Sequence, residues 1–380
     1  MKVVHVVNQA DAQSIPLELA LAIQEQVPMS VVAGYYARGD HPADHDETRI
    51  VSLDATKALD WAAVARLRRL LREEQPDIVH MHHAVSAFWC TLLGLLAQKR
   101  PRLVKTEHND HKFLPWHQRA INTLIYPFIS RIVCNSDTTR ASFTWLENLL
   151  AGRRAQRIYN GVNLTRVRAH PRPEKLPASP IVIGNIGRLV PQKNQHRLIQ
   201  GLAAARAASD CELRLEIVGT GPLKDELAET ARICGVSHAV TFAGALPREA
   251  VYERLSGWHG FVMASNFEGF CNALVEALAA CLPAAVSDIE TLREVGGDAA
   301  IRFDHTDPEA IGAALVALAG LPRTDGRFAD RYAIDLAVDN HLALYRDLMT
   351  DSARVPHPQE ARLASGPQSG LRQERDRDRD

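Results

Sequence analysis

The sequence predicts an α/β protein built from two parallel-sheet domains. Short apolar, β-branched runs alternate with longer helical patterns along nearly the whole chain. The alternation stops once, at a polar interval with four prolines in eleven residues, His170 to Pro180 (HPRPEKLPASP), and starts afresh behind it. Buried strands separated by helices need crossover connections, hence parallel sheets covered on both faces. With 380 residues, 46% of them hydrophobic and 23% charged, the chain has length for two domain-sized cores.

In the first half the strand-like runs are Val3–Val7, Ser30–Ala33, Ile50–Leu53, Ile78–His82, Leu103–Thr106, Arg131–Asn135 and Arg157–Tyr159. Helical patterns fall between them, among them Trp61–Glu74 and Arg119–Ile129. After the proline-rich interval come Ile181–Ile186, Leu213–Val218, Val240–Ala243, Gly260–Ala264, Ala284–Ser287 and Ala300–Phe303. An amphipathic helix follows from about Tyr332 to Leu348, expected to cross back onto the N-terminal domain. The expected organisation is a domain over residues 1–169, a linker over 170–180, a second domain over 181–330, the final helix over 331–350 and a disordered polar tail over 351–380 ending RQERDRDRD. Two Rossmann-like sheets facing a central cleft result. In such sheets ligands bind beyond the carboxyl ends of the strands, so chemistry belongs in the loops that follow them.

Composition narrows the partners. A formal net charge of −1 offers no global field for nucleic acid or an anionic membrane. The six cysteines (Cys90, Cys134, Cys211, Cys234, Cys271, Cys281) are scattered, with no CxxC pair, and read as small buried hydrophobes in a reducing compartment. The start, MKVVHVVNQ, lacks a basic region followed by a long apolar one, and no run approaches eighteen uninterrupted apolar residues. A cytoplasmic protein is expected, with peripheral attachment at the inner face of the membrane left open.

Three loops of the second half carry the chemistry. In SNFEGFCNALVEALAACLPAAVSD (Ser265–Asp288), a loop follows a strand and a helix starts near Cys271 or Asn272. Backbone N–H groups of Gly269, Phe270, Cys271 and Asn272 are then available to an anion. Glu276 lies about one turn into the helix and leans back toward the same place. A carboxylate beside phosphate is repelled, so it is better matched to a ribose diol, and Glu268 at the loop tip to a second polyol. Two surface glutamates favoured near a helix start are the plain alternative. The second loop, GRLVPQKN, sets Arg188 and Lys193 five positions apart, a planar fork and a point charge for a diphosphate; alone it also reads as a solvated loop. The third, Val218-Gly-Thr-Gly-Pro-Leu-Lys224, has glycines at Gly219 and Gly221 that permit close approach by a flat group such as a base.

Over residues 1 to 350 the chain resembles the retaining glycosyltransferases of family four, with their two-domain GT-B fold. The resemblance rests on the E-x7-E pair Glu268 and Glu276, on GRLVPQKN and VGTGPLKDEL, and on the loops DIVHMHH (Asp77–His83), KTEHND (Lys105–Asp110), VCNSD (Val133–Asp137) and YNGVN (Tyr159–Asn163). It implies a hexosyltransferase-type enzyme that moves a sugar from a nucleotide-diphosphate sugar to a sugar, glycolipid or other small acceptor. Neither a cofactor nor a metal is implied. Arg188 and Lys193 would hold the diphosphate, Glu276 the ribose, and Glu268 the donor sugar. Backbone amides of Gly269, Phe270 and Cys271 would touch sugar or phosphate, and Gly219 to Gly221 would lie near the nucleoside. His108 would face donor sugar and acceptor. By analogy the task is polysaccharide or glycolipid assembly.

The chain departs from the family pattern in places. Where members carry a Gly-Gly pair in the first loop, this chain has Asn8-Gln-Ala-Asp-Ala-Gln-Ser14 without glycine. Cys281 stands where many members have a Gly before Pro, and Glu290-Thr291 stands where a Gly pair is common. Asp44-His45-Asp46 and the terminal RDRDRD spell D-x-D, but in a polar loop and a charged tail rather than at a strand end. His80, His82, His83, His108 and His111 could suggest zinc, yet no Cys or carboxylate completes a ligand set, and a cluster contacting sugar is preferred. Lys112 to Ile129 (KFLPWHQRAINTLIYPFI) either touches membrane or a lipid-linked acceptor, or buries its apolar face in the first domain; the burial reading is preferred. Two rival functions stay open: a nucleotide-sugar 2-epimerase of the same fold, and a catalytically silent nucleotide-sugar-binding partner subunit.

Overall fold

The structure is a computed structural model; it describes residues 1–10, 14–27, 30–36, 50–170, 173 and 179–351. Residues 11–13 of the glycine-free first loop, the Asp44-His45-Asp46 motif, most of the proline-rich interval and the tail from 352 lie outside the described residues.

Seven parallel strands form the first sheet: β1 (Val3–Val7), β2 (Val31–Tyr36), β3 (Ile50–Ala55), β4 (Ile78–Met81), β5 (Arg102–Glu107), β6 (Arg131–Cys134) and β7 (Ala155–Arg157), in the order β3-β2-β1-β4-β5-β6-β7. Six form the second: β8 (Ile181–Ile186), β9 (Leu213–Val218), β10 (Val240–Gly244), β11 (Gly260–Met263), β12 (Ala284–Ser287) and β13 (Ala300–Phe303), in the order β10-β9-β8-β11-β12-β13, also all parallel. Both sheets are doubly wound, so strand order reverses between β1 and β4 and between β8 and β11. The crevices at these reversals are where ligands of such folds sit.

Helices cover both faces of each sheet. The Trp61–Glu74 helix begins at Asp60, whose carboxylate accepts from Ala62 N and Ala63 N at 3.1 Å each. The final helix, Ile334–Asp351, returns to the first domain. There Ile334, Val338, Leu342 and Tyr345 share a core with Val3, Ile78, Val104 and Val133.

Several element ends shift by one to four residues from the sequence reading, and two of the shifts have a clear cause. β7 ends at Arg157 rather than running to Tyr159: Ile158 N still donates to Cys134 O at 3.0 Å, but Tyr159 turns away to meet the rings of Phe270 and Tyr332. The helix expected at Arg119–Ile129 spans Trp116–Ile125 instead. Pro115 supplies an extended residue before its first turn, and Pro127, which cannot donate to a helix, ends it in a single 3₁₀ turn.

Candidate functional site

The site is built where β8 and β11 part. After β8 the chain runs Gly187-Arg188-Leu189-Val190 into a 3₁₀ turn, Pro191–Lys193, closed by Asn194 in the left-handed region (φ 54°). Asn194 Nδ2 donates to Ala264 O at 3.1 Å and to His305 O at 3.0 Å. Gln192 Nε2 donates to Phe267 O at 3.0 Å, Asn266 N to Gln192 O at 2.8 Å and Asn266 Nδ2 to Pro191 O at 2.8 Å. The loops after β8 and β11 are thereby stitched together through their own polar groups. The consequence is a buried pair: Lys193 Nζ lies 2.5 Å from Glu268 Oε1, which also accepts from Ser265 Oγ at 2.6 Å. Burial works against the Lys193 ammonium, but the Glu268 carboxylate outweighs it and raises the pKa above its ordinary value.

A cavity of about 360 Å³ opens beyond these strands, lined among others by Arg188, Lys193, Gly219, Asn272 and Glu276. Glu276 is buried on the Asn272–Ala279 helix, and burial raises its carboxyl against the pull of Arg248, whose Nη1 lies 3.3 Å away. Arg248 Nη1 also lies 2.9 Å from Glu18 Oε2 on the Ile15–Gln26 helix of the first domain. One guanidinium therefore joins the two domains at the rim of the cavity. Tyr252, one turn beyond Arg248, lines the same wall with Val251 and Leu246.

The remaining predicted residues lie elsewhere around this cavity. Glu268 is reached through Lys193 and does not line it. Gly219 does, but the space its missing Cβ leaves belongs to protein: a Cβ there would meet Gly187 O at 2.0 Å, and one at Gly221 would meet Leu189 O at 2.3 Å. These glycines let the third loop lie against the second, so close approach by a base is not what requires them. The Phe270 ring is buried beside Tyr159 and Tyr332, and Cys271 caps the helix at φ 73° with its thiol pushed up to about 12 by burial and by Glu268. Gly269 faces the other domain. Its O accepts from Ser136 Oγ at 2.8 Å, and a Cβ on it would meet His108 O at 1.7 Å.

His108 thus stands at the cleft, across from the loop that carries Glu268. Its Nε2 is 3.2 Å from His82 Nδ1, and Asn135 Nδ2 holds its carbonyl at 3.1 Å. Dense surroundings and neighbouring His83 draw its pKa down to about 3, leaving a neutral imidazole. The sugar-contacting histidine cluster expected from sequence divides here. His80 is buried, with Nδ1 2.6 Å from Tyr345 Oη and Nε2 2.7 Å from Thr106 Oγ1. His111 is buried too, 3.0 Å from Glu147 Oε1 and stacked on Phe143; burial opposes its charge, but Glu107 and Glu147 raise it to about 9. Tyr345 and Thr106 hold both nitrogens of His80 in the core and the charge cluster claims His111, so neither can touch a sugar. His5, His80 and His82 bring ring nitrogens within 4.8 Å of one another. Both nitrogens of His80 are already bonded, and His80 stacks on His82 and His82 on His108, whereas neither ring nitrogen of His5 has a hydrogen-bond partner.

Sequence reasoning missed Arg248, Tyr252, Glu18 and the clasp at Glu294. The Glu294 carboxylate accepts from Asp137 N at 2.7 Å, Thr138 N at 2.9 Å and Thr138 Oγ1 at 2.7 Å, capping a first-domain helix from the second domain. One signal for Arg248 was present. It begins a helix directly after a strand, where the helix dipole disfavours a cation and only a partner such as Glu276 makes sense of it.

Comparison with known proteins agrees with this geometry. The model for glycosyl transferases group 1 matches residues 167–329, and that for Glycosyltransferase Family 4 matches residues 17–166. The chain is 27% identical over 280 residues to the putative glycosyltransferase EpsF of Bacillus subtilis, covering 69% of this chain and 72% of that protein. It is 30% identical over 239 residues to a GDP-mannose-dependent alpha-mannosyltransferase of Mycobacterium tuberculosis, covering 59% and 58%. HepE of Anabaena, solved with UDP and glucose, superposes with a TM-score of 0.74 at 16% identity, over 91% of this chain and 100% of that one. Two matched halves, two doubly wound sheets and a cleft between them assign the chain: it belongs to the family 4, group 1 glycosyltransferases, with the two-domain GT-B fold.

Proposed function

We propose that this glycosyltransferase moves a hexose, with retention of configuration and without a metal, from a nucleotide-diphosphate sugar to a sugar or glycolipid acceptor in polysaccharide or glycolipid assembly. The observation that carries the reading is one cavity lined both by a pair of cations, Arg188 and Lys193, and by a buried carboxylate, Glu276, which Arg248 holds. A diphosphate suits the first and a ribose diol the second.

In this reading Lys193 and Arg188 stabilise the charge that grows on the departing diphosphate, the main catalytic contribution. Glu268, bonded to Lys193, faces the donor sugar and supports positive charge developing there. Neutral His108 offers the sugar a hydrogen bond from the opposite domain. The acceptor attacks on the face from which the diphosphate leaves, and closure of the cleft keeps water out. Names of the relatives, which include mannosyl- and N-acetylgalactosaminyl-transferases, support a nucleotide-sugar donor and leave its base and sugar to experiment.

The test is a thermal-shift screen with UDP, GDP, ADP, TDP and their sugar conjugates. Ligand at about a hundred times its dissociation constant stabilises by roughly 2.7 kcal/mol. A shift with one nucleotide, lost in Glu276→Ala, supports the donor site and names the base. Transfer that persists in chelator supports the metal-free reading. Absence of any shift from a folded protein overturns it.

A further inference from the structure

The Lys112–Ile129 stretch buries Ile125, Tyr126 and Ile129 in the first domain as expected, but its helix, Trp116–Ile125, leaves a second apolar face outside. Within the helix only Asn122 and Ile125 are buried, while Trp116, Ala120 and Leu124, spaced four apart on one face, are exposed. Trp116 is 81% and Leu124 61% exposed. The neighbouring helix Trp145–Ala151 repeats the pattern with Trp145 and Leu149, 77% and 68% exposed. The two tryptophans border one groove of about 370 Å³, which Arg119 and Thr123 also line. Phe113 and Phe128, each half exposed, extend the patch.

The segment that builds the patch carries a surplus of positive charge, although Lys112 also lies 3.4 Å from Glu290 of the second domain. From His111 to Arg154 the chain holds six basic residues (Lys112, Arg119, Arg131, Arg140, Arg153, Arg154) and two acids, Asp137 and Glu147. Glu147 is buried against His111 and Thr144, so it does not offset the field outside. The whole chain is nearly neutral, which makes this surplus local. Exposed tryptophans beside arginine and lysine match a bilayer interface, where indole rings settle at headgroup level and basic side chains meet anionic lipid. A protein partner would be expected to present acids against the same cations. The patch also adjoins the cleft: Lys112 and Phe113 help line a second cavity with Glu268 and Thr291, and Phe113 stacks on Phe267 of the other domain, ring centres 4.2 Å apart.

We infer that the face formed by Trp116, Leu124, Phe128, Trp145 and Leu149 docks on a bilayer carrying anionic headgroups. Docking there brings the Phe113 mouth of the cleft to the lipid surface and so selects a lipid-linked acceptor; this last step rests on the transferase reading, whereas the docking surface stands on exposure and charge.

The experiment is co-sedimentation of the full chain with vesicles of phosphatidylcholine, with and without phosphatidylglycerol. Binding should require the anionic lipid and weaken as salt is added. Trp116→Ser with Trp145→Ser should lower partitioning about tenfold or more, since each ring no longer leaves water. Arg119→Glu should lower it by about tenfold through charge. The nucleotide-induced thermal shift should be unchanged in both variants, which shows that they are folded. Wild-type protein that ignores anionic vesicles, or variants that bind as well as wild type, overturn the inference. So does a dimer in solution that the tryptophan variants dissolve, because a second copy then covers this face. If vesicles bind but no nucleotide does, the docking surface stands and the transferase reading falls.

Discussion

Acid should unfold this protein through its first domain, and the histidines set where. His5, on β1, is fully buried, and burial with neighbouring His341 draws it from 6.5 to about 3. His108 falls to about 3, His83 to about 4 and His341 to about 4, each chiefly through burial. His80 and His82 move the same way. A base with a depressed folded pKa costs nothing above its unfolded value, because neither state binds the proton. As pH falls below 6.5 the unfolded chain takes up protons that the folded one refuses, and stability is lost until the folded pKa is reached. Each such histidine contributes about 1.4 kcal/mol per pH unit in that window, so the four with stated values lose roughly 5 kcal/mol between about pH 7 and pH 5.5. That is comparable to a typical stability of about 5–15 kcal/mol. His111, raised to about 9, works in the opposite sense, since the folded protein already holds its proton while the unfolded chain takes one up near 6.5, and it offsets about 1 kcal/mol of that loss. Glu276, raised by burial, works in the opposite sense but is one group in the other domain. Urea titrations followed by circular dichroism at closely spaced pH values should show uptake of about four protons or more on unfolding near pH 5.5, His80 and His82 adding to the four with stated values. His5→Leu should reduce that uptake by about one proton. Stability that stays flat or rises from about pH 7 to pH 5 would refute the reasoning, since it requires that these imidazoles be protonated in the folded protein.

Three further outcomes follow from the site. Lys193→Ala should lower turnover by about 10²–10³ with a smaller effect on donor affinity, measured as kcat against KM, because its charge matters most as the diphosphate leaves. Gly269→Ala should leave each domain folded but hold them apart, since the new methyl meets His108 O at 1.7 Å; small-angle scattering should show expansion and transfer should fail. Glu294→Ala removes an acceptor from three donors of the opposite domain, each such charged bond being worth about 1.5–3 kcal/mol. The cleft should open, with nucleotide binding retained and transfer reduced; unchanged scattering and activity would show that the clasp does not hold the closed form.

The sheets were legible because their strands are continuous apolar runs bounded by turn residues. Val3–Val7, Ile181–Ile186, Leu213–Val218 and Ala284–Ser287 coincide with the observed strands end to end. The cleft was legible only in part. Arg188, Lys193 and Glu276 follow strands closely enough for the loop rule to find them, and all three line one cavity. Glu18 and Glu294 sit on helices far along the chain from what they touch, and nothing local marks them. His80 and His82 show why spacing alone misleads. Alternation places both on one side of β4, but depth separates them: His80 meets Tyr345 of the final helix, while His82 reaches His108 at the cleft. The outward Trp116–Leu124 face failed for the same reason. A helical stripe specifies that one face is apolar, and only the neighbouring element decides whether that face looks in or out.

The two glutamates eight residues apart are best understood through the cations they hold. Glu268 is bonded to Lys193 and Glu276 to Arg248, so each end of the E-x7-E pair is already satisfied without a ligand. A donor must therefore compensate what it disturbs, because a buried charge left unpaired costs several kcal/mol. On the proposed function a diphosphate does so at Lys193 and a ribose diol at Glu276. Arg248, relieved of Glu276, keeps Glu18 of the other domain. On this arrangement nucleotide binding need not break the bridge between domains. Recognition at one sheet and closure against the other are then coupled through one side chain, which sequence spacing alone would have assigned to neither.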